Sequence, residues 1–71
     1  MNIKEIKKWI AESIKLGGND FIKWDDIKNK VSDNVLYLMT QIIALYNESV
    51  IFHTDTIKEI KFTYKLIEDQ L

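Results

Sequence analysis

His53 and Asp55 stand two positions apart. On a strand, side chains two apart face the same way, so the pair could hold a metal or share a proton. A catalytic or metal centre needs further converging groups, and the sequence supplies none beside them. The bland reading is a solvated histidine near a turn. Asp25 and Asp26 imitate a paired carboxylate. At a helix N-terminus the same two residues act as a cap and a favourable charge on the helix dipole. Ser13, Ser32 and Ser49 have no neighbouring base, and capping or surface roles account for them. No glycine-rich phosphate loop and no metal-ligand spacing occurs. With no cysteine and one histidine, neither disulfides nor a thiolate metal site can form. The expectation is a non-enzyme without cofactors.

The remaining candidate is charge. Lys4, Lys7, Lys8 and Lys15, with Lys23, Lys28 and Lys30, form a basic cluster in the first half. Glu5, Glu12, Asp25 and Asp26 lie among them and dilute its field. The whole chain has ten lysines against eleven acids and no arginine. A nucleic-acid binder draws affinity from a strong basic patch and favours arginine for reading guanine, so neither signal is present. Trp9 and Trp24 could anchor a partner, but in a small domain they more often fill the core.

These residues sit on a chain of 71 residues, the size of one small domain. Domains of this size bury little surface, and many rely on disulfides, metals or self-association for stability. The first two are excluded here, which leaves good packing or assembly. The N-terminus "MNIKEIKKWIAESI" lacks the apolar core of a signal peptide, and no apolar run reaches a membrane span of ~20 residues. The expected location is intracellular, in the cytoplasm. Rich use of Ile, Lys and Asn points to an AT-rich coding sequence, as in viral or mobile elements.

Hydrophobic periodicity places the elements. Asn2 to Leu16 is an amphipathic helix with Ile3, Ile6, Ile10 and Ile14 on one stripe, Asn2 as N-cap, and Gly17 as its left-handed stop. Phe21 to Trp24 suits a short strand. Asp25 caps a second helix over about Asp26 to Val31, and Ser32 or Asp33 caps the next. That third helix, Asp33 to Glu48, contains "VLYLMTQIIALY", in which ten of twelve residues are apolar. Val35, Leu38, Met39, Ile42, Leu45 and Tyr46 make its core face. Leu36 and Ile43 form a second apolar surface, with Tyr37 and Ala44 beyond. Leu36, Tyr37 and Ile43 are therefore the candidate protein interface. In the tail, Ile60, Phe62, Tyr64 and Leu66 alternate with polar residues, whereas Ile57, Ile60, Tyr64, Ile67 and Leu71 follow helical spacing. The helical reading leaves Phe62 and Leu66 in water, so the favoured expectation is a hairpin pairing Val50–Thr54 with Glu59–Ile67.

This order of elements resembles a winged helix-turn-helix domain, with "FIKWDDIKNKV" as small strand and second helix, "SDNVLYLMTQIIALYNES" as third helix and "VIFHTDTIKEIKFTYKL" as wing. The resemblance implies an α+β fold, and an all-α bundle of four helices is the alternative. In DNA-binding members the third helix enters the major groove. Lysine is absent from residues 31–57 of this chain. The expected function is thus a non-catalytic protein–protein module or regulator that self-associates, its partner a protein or a second copy. The alternative is a DNA-binding regulator using Lys23, Lys28, Lys30, Gln41 and Asn47. An enzyme inhibitor also fits the size.

Overall fold

A computed structural model describes residues 1–18, 24–48 and 54–71, Trp24 by its backbone alone. Four helices follow one another: α1 (Ile3–Leu16), α2 (Trp24–Ile27), α3 (Asp33–Glu48) and α4 (Thr54–Asp69). Among the described residues there is no strand.

α1 begins and ends where its side chains dictate. The Asn2 side-chain oxygen accepts from the Glu5 backbone N–H at 2.9 Å, satisfying one of the orphan donors of the first turn. At the other end Gly17 and Gly18 take φ of 120° and 104°. Their N–H groups donate back to the carbonyls of Ile14 and Ser13, the paired bonds of a Schellman stop. α3 is capped by Ser32, whose Oγ accepts from the Val35 N–H at 3.2 Å. α2 is shorter than the expected 26–31: it is a single turn, and residues 28–30 form a turn rather than more helix.

The α+β winged-helix expectation is overturned. Residues 54–69, which contain the turn and the second strand, Glu59–Ile67, of the expected hairpin, are one continuous helix. Ile60, Thr63 and Ile67 point into the core, a spacing of three and four. Thr63 completes the stripe because its hydroxyl donates to the Glu59 carbonyl at 2.8 Å, so burying it leaves no unsatisfied group. Phe62 is left 62% exposed. The expected strands at Phe21 to Trp24 and Val50 to Thr54 lie outside the described residues except at their ends, and both of those ends, Trp24 and Thr54, are helical. The architecture is the all-helical alternative.

α3 is the central element and packs against both α1 and α4. Asn34, at its start, donates to Gln70 beyond the end of α4 at 2.8 Å, so α3 and α4 run antiparallel. Gly18, after α1, lies against the side chain of Asn47 near the end of α3. Contact on two sides is what an almost wholly apolar helix requires. Val35, Met39, Ile42 and Ile43 are buried with Ile6 and Ile10 of α1, Ile27 of α2, and Ile60 and Ile67 of α4.

Candidate functional site: a lysine-flanked groove between α1 and α4

α1 and α4 both rest on α3, and an apolar groove opens between them. One recess, of about 350 Å³, is lined by Lys7, Tyr46, Ile57, Ile60, Lys61 and Tyr64. A second, of about 260 Å³, is lined by Ile10, Ala11, Ile14, Tyr46 and Tyr64. Tyr46 and Tyr64 belong to both, so the two recesses are halves of one trough. Over the Tyr64 ring stands the Lys7 ammonium, 5.4 Å from the ring centre. Burial, with Tyr46 adding a smaller electrostatic effect, pushes the Tyr64 phenol up to about 12.

The helical period explains what borders this trough. At about 100° per residue, Lys7 and then Lys4 fall on the side of α1 that adjoins the groove, Lys15 and Lys8 point away from the core, and Lys8 lines the recess of Glu5 and Glu12 on the far side. On α4, Lys61 and Glu68 fall beside the groove, and Lys65 and Lys58 lie between it and the outer face. Asp55 and Glu59 lie on the opposite face. All seven lysines are exposed. Lys61 joins Lys7 at the groove only because residues 54–69 are helical; on a strand Lys61 would have faced the same way as Thr63.

The residues singled out in the sequence are not gathered at one place. Of the candidate interface, Ile43 is fully buried inside the subunit, Leu36 is partly buried against the core, and Tyr37 is 60% exposed. Tyr37 is open to a partner and Leu36 partly so. Ile43 joins the core because α3 packs against both α1 and α4. Gln41 and Asn47 are both exposed on α3, with the Asn47 side chain beside Gly18. Lys28 pairs with Asp25 at 3.1 Å. Lys30 shares a shallow recess with Glu5, Lys8, Trp9 and Glu12 on another side of α1. Lys23 and His53 lie outside the described residues, as does the side chain of Trp24. Trp9 packs against the core. Ser13 is buried, with its hydroxyl donated to the Trp9 carbonyl at 2.9 Å.

Among the described residues, no group of three or more His, Asp or Glu could hold a metal ion. No helix there is long and apolar enough to cross a membrane. The groove was missed in the sequence because its lysines are shared between helices about fifty residues apart. A helical wheel of residues 54–69 would have shown the one-sided lysine row.

Comparison with protein-family models, with curated proteins and with solved structures finds no match to this chain. Function must be argued from the groove itself.

Proposed function

We propose that this chain is a non-catalytic protein-binding module, and that the groove between α1 and α4 is its binding surface. The single observation that carries this is an apolar trough with Lys7 on one wall and Lys61 on the other. An amphipathic helix docks into such a groove by its apolar side chains, spaced at i, i+3, i+4 and i+7. Lys7 and Lys61, one on each wall, favour a helix that carries carboxylates beside its apolar stripe. Ile57, 43% exposed, and the aliphatic stem of Lys61 present apolar surface at the mouth.

The test is an NMR titration with a designed helical peptide bearing Phe and Leu on one stripe and Glu beside them. The expected result is shift perturbation at Ile14, Ile57 and Tyr64, abolished by Ile57→Glu and absent with a scrambled peptide. No perturbation of these resonances up to about 1 mM peptide, the weak end of useful affinity, overturns the reading.

Contact with a nucleic acid is the second reading, and the one-sided lysine rows of α1 and α4 favour it. Phosphates would engage the lysines and gain nothing from the isoleucines beneath. The described part of α3 carries no cation with which to enter a groove of DNA. Binding to mixed-sequence duplex that falls steeply with salt, and survives Ile57→Glu, would establish this reading in place of the first.

A further inference from the structure

The two recesses of the groove share Tyr46 and Tyr64 but differ in charge. Lys7 and Lys61 both line the larger one, from opposite walls, beside Ile57 and Ile60. Among the described residues, the smaller one is lined by Ile10, Ala11 and Ile14 with the two tyrosines, none of them charged. Glu68 falls beside the groove by helical period, yet it lines neither recess. Among the described residues, no carboxylate pairs with Lys7 or Lys61. Lys7 stands over the Tyr64 ring, a contact that brings no counter-charge. Size is also suited to side chains. A void of about 150 Å³ holds a benzene ring, and these recesses measure about 350 and about 260 Å³.

Resting on the groove reading above, we infer that the two recesses read different parts of one partner helix and so fix the direction in which it docks. The partner sets one large apolar side chain in each recess. A single carboxylate, one helical turn from the anchor in the larger recess, lies against Lys7 and Lys61. Charge selects this arrangement. At the larger recess a carboxylate meets an unpaired ammonium from either wall. At the smaller one it would lose water and find no cation. The partner's acid therefore belongs at one end of its apolar stripe, three or four residues from the nearer anchor. Carboxylates at the other end add nothing to affinity.

Two helical peptides test this against the full chain. Both carry two Leu anchors about four residues apart, and they differ in one residue, Glu or Gln, about four beyond one anchor. Binding is followed by the amide shifts of Ile14 and Ile57. The Glu peptide should bind about tenfold more tightly, within the range of two exposed ion pairs, and salt should narrow the gap. In a chain carrying both Lys7→Met and Lys61→Met the two peptides should bind alike, with the Gln peptide as tight as on wild type. Both positions are exposed, and far-UV circular dichroism confirms that the variant stays helical. Lys61→Met alone, which spares the cation–π contact of Lys7, should remove part of the difference.

Direction is read with a nitroxide on the peptide. A label beside the Glu should broaden Ile57 and Lys61 most, and a label beside the far anchor should broaden Ala11 and Ile14 most. Equal affinities on wild type, a preference that survives loss of both lysines, or the same broadening from either label overturns the inference. If the Glu and Gln peptides bind alike and Ile57→Glu abolishes both, directional docking falls and the groove reading stands. If neither peptide perturbs the groove, both fall.

Discussion

The ammonium of Lys7 lies 5.4 Å from the centre of the Tyr64 ring, joining α1 to α4 across the floor of the groove. The helices meet mainly through α3, so this cation–π contact is a direct tie between the groove's two walls. A partly exposed contact of this kind contributes about 0.5–1 kcal/mol. Lys7→Met, which keeps the aliphatic stem, should destabilise the fold by about that amount in urea denaturation, with m unchanged. Lys7→Arg should retain the stability.

Tyr64 also sets an alkaline limit. Its phenol is raised from the ordinary 10.0 to about 12, first by burial and then by the neighbouring Tyr46. The folded state therefore holds this proton more tightly than the unfolded chain does. Its stabilising contribution is complete below pH 10, and is lost as pH rises from there through about 12. The ring is only half-buried, so solvent screening leaves a loss on the order of 1 kcal/mol. Ultraviolet titration of phenolate should show one tyrosine ionising near the top of that window. Tyr64→Phe should remove that inflection and flatten the alkaline fall in stability relative to wild type.

Much of this fold is legible in the sequence, and the failures have a common cause. The caps of α1 and the limits of α3 follow from Asn2, Gly17 and Ser32, whose chemistry is local. Residues 54–71 satisfy two periods at once, and the choice turned on whether Phe62 and Leu66 must be buried. They need not be: apolar residues are common on surfaces, whereas a helix needs one continuous buried stripe. Thr63 concealed that stripe, because a threonine counts as polar until its hydroxyl is seen to bond the Glu59 carbonyl. The burial of Ile43 and the groove both depend on α1 and α4 packing together on α3, a tertiary fact that no window of sequence contains.

The two apolar sides of α3 can be separated by mutation. Ile43 is fully buried and Tyr37 is 60% exposed. Ile43→Ala should cost about 2–5 kcal/mol, the range for cavities left in a packed core. Tyr37→Ala should change stability by less than about 0.5 kcal/mol, as surface substitutions do. Thermal unfolding of the pair checks this directly. Equal losses would mean that α3 is not sandwiched as described.

Gly18 concerns the packing that holds α1 against α3. It is buried, its φ is 104°, and a Cβ there would press on the side-chain amide of Asn47. Two costs would follow from Gly18→Ala. The first is backbone strain, because side-chain-bearing residues rarely adopt this φ, and it is of order 1–3 kcal/mol. The second is displacement of Asn47, which is small because that side chain can swing aside into solvent. Asn47→Ala should therefore leave most of the loss in a Gly18→Ala background intact, and a double-mutant cycle in urea would show a small coupling energy. If the double variant instead recovers wild-type stability, crowding by Asn47 rather than backbone conformation fixes glycine at this position.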